Sequence, residues 1–163
     1  MKERDANAIA MYIVGIVDQL CSADDLSVEK FSNDDILLSE FVAPVLMKCR
    51  ITLVTVLVAV EYVRRWSLGR IKIFGKSSLG SRVIKDRVVF VSLLLASKFC
   101  DDSCLSTGMW SEVTLLAVSD LCRFERQWLH TMDWDMVVSE ECYLIWKSSW
   151  ETWIEYFSID DFD

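Results

Sequence analysis

Two runs dominated by apolar residues constrain this fold most: Ile51 to Val60, ten residues closed by Glu61, and Val88 to Ala96, nine residues closed by Ser97 and Lys98. Wound as helices, both are apolar on nearly every face, and a helix of that kind must be enclosed by others. Both fall well short of the roughly 20 apolar residues that a membrane span requires, so they are expected to be core helices. A chain of 163 residues suits one domain with a short appendage and can bury such a core without metals or disulfides. One Pro and five Gly argue against a disordered chain or a turn-rich β domain.

The rest of the pattern is helical too. Ile9, Ile13, Ile16, Val17 and Leu20 recur at helical spacing, predicting a first helix from about Asp5 to Leu20. After a polar stretch, Ser32 and Asp35 fit a Ser-x-x-acid start, and a second helix is expected over Ile36 to Cys49. Pro44 should kink that helix or delay its start. A helix over Thr52 to Trp66 follows; serines and glycines then predict a break between Ser67 and Ser81. Further helices are expected over Val83 to Phe99, near Met109 to Val113, from an N-cap at Ser119, and over Glu140 to Phe157. Leu121, Phe124, Trp128, Leu129 and Met132 make one stripe, and Trp146, Trp150 and Trp153 another. The fold class is all-α.

Catalytic chemistry finds little support. Gly69 to Ser78 resembles a phosphate-binding loop, but five residues separate its glycines instead of four, and a helix precedes it where a strand is needed. His130 has no Ser or Cys constellation around it. The paired acids (Asp24/Asp25, Asp34/Asp35, Asp101/Asp102, Glu140/Glu141) sit at turns and helix starts, where they cap and solvate. Six Cys show no Cys-x-x-Cys spacing, which argues against a zinc site. With no apolar leader at the N-terminus they are expected to be reduced thiols of an intracellular protein. No enzyme, cofactor or metal is expected.

Charge is uneven. The chain carries −8, yet Arg64 to Arg87 holds eight basic residues and one acid, Asp86. A solvated surface explains this most simply. The alternative is a docking patch, centred on Arg70, Lys72 and Lys76, for an acidic or phosphorylated partner. Nucleic acid is disfavoured because the remainder of the chain is strongly acidic.

The run Val91-Ser92-Leu93-Leu94-Leu95-Ala96-Ser97-Lys98-Phe99-Cys100-Asp101-Asp102 resembles the third helix of a cyclin box. Glu61-Tyr62-Val63-Arg64-Arg65 is similar to the end of the second helix, and Trp110-Ser111-Glu112-Val113 falls where the short fourth belongs. Arg123-Phe124-Glu125-Arg126-Gln127-Trp128-Leu129, followed by Met132-Asp133-Trp134, resembles the fifth. The resemblance is to single-box fungal cyclins of the PCL, phosphate-signalling type. It implies a cyclin box over residues 36–136, an N-terminal helix and linker over 1–35, and a C-terminal helix and acidic tail over 137–163. Only 29 residues follow Trp134, too few for a second box.

By that resemblance the chain is a non-catalytic regulatory subunit that binds and activates a cyclin-dependent protein kinase and contributes to substrate choice. Lys98 and Glu125 would pair at the kinase-facing surface, with Leu95, Phe99, Leu129, Trp134 and Met136 as the apolar contacts. A cyclin-fold adaptor that binds other proteins or nucleic acid is the rival reading. One departure stands out: Arg64 replaces the family's Asp before Arg65, so its usual pair with a first-helix Arg cannot form. A swapped pair of Arg64 with Asp34 or Asp35 is one substitute.

Overall fold

A computed structural model describes residues 2–21, 32–74 and 82–159, with side chains given except at 70–74, 82–84 and 157–159. Among the described residues every regular element is a helix: α1 (Glu3–Cys21), α2 (Asn33–Lys48), α3 (Leu53–Phe74), α4 (Arg82–Cys100), α5 (Thr107–Thr114), α6 (Val118–Thr131) and α7 (Glu140–Ile159). None of them is long and apolar enough to cross a membrane.

The two apolar runs become the middle of α3 and α4, which pack on each other, with α1, α6 and α7 around α3. From Thr55 to Val63 and from Val88 to Ser97 every residue is buried. Ser92 and Ser97 fit this environment because their hydroxyls donate to Val89 O and Leu94 O one turn back, at 2.8 and 2.9 Å. Cys21 and Cys49 are also buried, and burial pushes the Cys49 thiol up to about 11, so it behaves as a small apolar group.

Aromatic residues join the outer helices to this core. Tyr12 of α1 lies edge-on to Trp150 and Trp153 of α7, at 5.3 and 5.8 Å between centroids, and its hydroxyl donates to Ser149. Trp66 of α3 stacks on Trp128 of α6 at 4.7 Å and 7°. In the α6 stripe Leu121, Trp128 and Met132 are buried, while Phe124 and Leu129 are half-buried against the core.

Helix boundaries follow local chemistry, with three corrections. Ser32 caps α2 through a reciprocal box with Asp35, so the helix begins at Asn33 and Pro44 does not delay it. Pro44 and Glu40 both lie on the exposed face, where water reaches the Glu40 carbonyl that proline cannot bond. Helix α6 starts one residue before Ser119; its N-cap is Ala117, with no side-chain cap bond.

The third correction is larger. Helix α3 continues through Ser67 and Gly69 to Phe74, where the composition predicts a break. Ser67 donates to Leu20 O at 2.8 Å and so stays helical while tied to α1. Gly69 is required by packing rather than by a turn: a Cβ there would lie 2.4 Å from Thr131 O and 2.9 Å from its Cγ2. Gly69→Ala should therefore lower stability despite alanine's higher helix propensity, which returns only about 1 kcal/mol against an overpacking cost of about 1–3 kcal/mol. A thermal melt should show Tm lower by several degrees; an unchanged or higher Tm would mean that α3 and α6 separate freely at this point.

Candidate regulatory interface

The end of α4 and the middle of α6 bring Lys98 and Glu125 together. Lys98 Nζ lies 2.7 Å from Glu125 Oε1 and donates to Thr107 Oγ1 at 3.3 Å. The side chains are one-third and one-sixth exposed, so the pair sits at the surface with its carboxylate partly covered. No sequence motif pointed to Thr107. Its signal is positional, since it is the first residue of α5 after the N-cap Ser106.

The expected apolar contacts divide by environment. Leu95 is 3% exposed and lies in the core, so its side chain adds nothing to the surface. Leu129 and Met136 are half-buried against the core. Phe99 and Trp134 stand out, at 52% and 58% exposure. Trp134 follows Asp133 in the turn after α6, and both adopt left-handed backbone, with φ of 59° and 53°. That conformation disfavours side chains by roughly 1–2 kcal/mol per residue. It persists because Trp134 N–H donates to Leu129 O at 2.8 Å and Asp133 N–H to His130 O at 3.2 Å. The indole projects outward, edge-on to His130 at 5.5 Å.

A buried carboxylate fixes the segment that carries Trp134 and Met136. Glu61 of α3 is 1% exposed and accepts from Arg64 Nε and Nη2 (2.8 and 2.7 Å), Arg65 Nε (2.7 Å) and Trp146 Nε1 of α7 (2.9 Å). Burial alone would raise its pKa; the bonds from Arg64, Trp146 and Arg65 outweigh it and hold the carboxyl at about 2. Arg65 then donates to Asp135 O and Val137 O, both at 2.9 Å, while Tyr62 donates to Met136 O at 2.8 Å. The network was not legible in the sequence, where Glu61 looks only like the polar end of an apolar run.

This network also corrects the expected substitute for the missing family pair. Arg64 bonds Glu61 on its own helix, not Asp34 or Asp35. Asp35 is instead held by Ser32 and by Lys85, whose Nζ lies 3.1 Å away and also meets Asp18. Burial would push the Asp35 carboxyl up, but the Ser32 and Lys85 bonds bring it below the ordinary carboxylate range.

Much of the basic segment is thus engaged within the fold. Arg64, Arg65 and Lys85 pair with acids, and Arg87 lies 5.0 Å over the Phe124 ring. Arg70 and Lys72 fall on α3 rather than in a loop, while Lys76 lies outside the described residues. The opening of the phosphate-loop-like stretch, from Gly69 to Phe74, is likewise helix.

No family model and no solved structure matches the chain. Over 112 residues, 68% of this chain, it is 26% identical to the PHO85 cyclin CLG1 of Saccharomyces cerevisiae. Over that span the chain is similar to a cyclin. It covers 24% of the relative's length.

Proposed function

We propose that this chain is a cyclin-type regulatory subunit that binds a cyclin-dependent protein kinase through the end of α4 and through α6. The carrying observation is the Lys98–Glu125 pair, 2.7 Å apart, with the exposed Phe99 next to Lys98 at the end of α4 and the exposed Trp134 in the turn after α6. Similarity to a protein named as a PHO85 cyclin supports the same reading. Residues 36–136 form the box in this reading, and the partner meets Lys98, Glu125, Phe99 and Trp134 directly. Leu129 and Met136 line the edge, and Leu95 supports the surface from below.

The role is conformational. Main-chain groups of the kinase complete the hydrogen bonding of Lys98 and Glu125, and binding favours the kinase state in which its own catalytic Lys–Glu pair is formed. Titration of the kinase with the chain and its Lys98 and Glu125 variants tests this directly. Exposed apolar groups beside the ion pair favour this reading over a nucleic-acid adaptor, which needs a basic stripe.

Arg70, Lys72 and Lys76 remain the positions at which substrate docking is to be tested. Changing all three to Glu should weaken phosphorylation of acidic or primed substrates and leave kinase affinity within about twofold, because loss of a peripheral charge acts mainly on encounter. Equal activity on every such substrate would return these residues to an ordinary solvated surface.

A further inference from the structure

A second site lies between α1, the end of α2, the start of α3 and α7. It is a cleft of about 1050 Å³, open along one side, with walls that include Ile9, Met47, Leu53, Trp150 and Ile154. Among the described residues none of its walls comes from α4 or α6, so binding in the cleft is independent of the kinase reading.

Arg50 stands at the rim in a conformation that favours glycine. Helix α2 ends with Ile51 N–H donating to Leu46 O at 2.9 Å and Arg50 N–H to Met47 O at 3.2 Å, a Schellman ending that puts Arg50 at φ 54°. A left-handed arginine is a standing cost to the fold. Its guanidinium makes no hydrogen bond or ion pair among the described residues. The other rim charges are engaged: Asp5 accepts from Lys2 N–H at 3.2 Å, and Arg4 has a partner of its own. The first turn of α3, beside the cleft, carries no acidic residue. Among the described residues the cleft, with its mostly apolar walls, therefore has one uncommitted cation at its mouth, which a negatively charged group can complement.

We propose that this cleft binds a short peptide segment of a partner protein, whose apolar side chains enter it and whose Asp or Glu pairs with Arg50. A peptide fits better than a small molecule because the open side cannot enclose a ligand, whereas a chain can lay alternate side chains inward and leave its backbone at the surface.

The test is selection of a randomised, end-blocked hexapeptide library on the immobilised full chain, followed by fluorescence polarisation with the enriched peptides. Enrichment of Leu, Ile, Phe or Met beside a single acid is expected. Changing that acid to its amide should weaken binding at least fivefold. Arg50→Gly should weaken it equally while raising Tm by about 2–4 °C, since glycine relieves the left-handed backbone. Met47→Glu, at an exposed wall residue, should abolish binding without unfolding the chain. Opposite effects of Arg50→Gly on stability and binding are what a purely structural arginine would not produce. The proposal is overturned by enrichment without acids, by equal binding to Arg50→Gly, or by selection that survives Met47→Glu. Occupation by decanoate with no peptide selected would also overturn it, making the occupant a small amphiphile.

Discussion

Lys98→Ala and Glu125→Ala should each weaken kinase binding by about 2–5 kcal/mol, from some thirtyfold to several thousandfold, while costing the free chain only on the order of 1 kcal/mol. The asymmetry follows from solvation. In the free chain Lys98 is one-third exposed, so either partner left alone can reach water. Under a kinase that water is excluded, and the surviving charge is desolvated without its counter-ion. Because the two groups lie 2.7 Å apart and act as a unit, the double variant should cost less than the sum of the singles. Binding titrations and thermal melts of the four proteins decide the matter. Unchanged affinity with lowered stability in each variant would reduce the pair to an ordinary helix tie and remove the main support for the kinase reading.

Glu61→Ala should be the most destabilising single change at the α3–α7 junction, by about 3–5 kcal/mol, the range for breaking a buried pair from one side. It leaves Arg65, with 15% of its side chain exposed, facing an apolar hole, and it orphans Trp146 Nε1. The same carboxylate sets an acid limit on folding. Its folded pKa of about 2 lies below the ordinary value of 4.5, so its contribution is complete above about pH 4.5 and is lost as pH falls through about 2. That shift corresponds to about 3 kcal/mol, and Asp35 acts in the same direction. Denaturant unfolding from pH 6 to 2.5 should show stability falling steeply below pH 4.5, and Glu61→Gln should be less stable at pH 6 with a shallower acid slope. Parallel slopes in the two proteins would show that Glu61 is not the group titrating.

The Glu61 network also bears on the proposed interface. Arg65 and Tyr62 hold the main chain of Asp135, Met136 and Val137, the stretch directly after Trp134. A conservative Arg65→Lys replacement keeps the charge but cannot span Glu61 and two carbonyls with one rigid fork. Loss of the fork frees the segment on which the exposed indole is carried.

Periodicity with local start signals determined the all-α class, the two enclosed helices and, among the described residues, the order of the helices, but not where α3 ends. These properties are local: an apolar run on every face demands enclosure, and a Ser32–Asp35 box starts a helix wherever the chain places it. The resemblance to a cyclin box also implied that Lys98 and Glu125, on separate helices, would pair, and the two lie 2.7 Å apart. Tertiary structure decided the rest. Gly69 reads as a breaker in the sequence but lies inside α3, because the reason for a glycine there is the backbone of Thr131, far away in the chain, which leaves no room for a Cβ. Leu95 and Phe99 lie one turn apart on nearly the same face of α4 and are equally apolar, yet one is core and the other surface, because burial of the helix ends at Ser97, a limit that only packing against the neighbouring helices sets. Charge was the least legible property. Arg64 reads as a partner for Asp34 or Asp35 and Lys85 as part of a solvated basic segment, whereas Arg64 pairs with Glu61 on its own helix and Lys85 with Asp18 and Asp35, since an ion pair is defined by distance in space and the sequence records only distance along the chain.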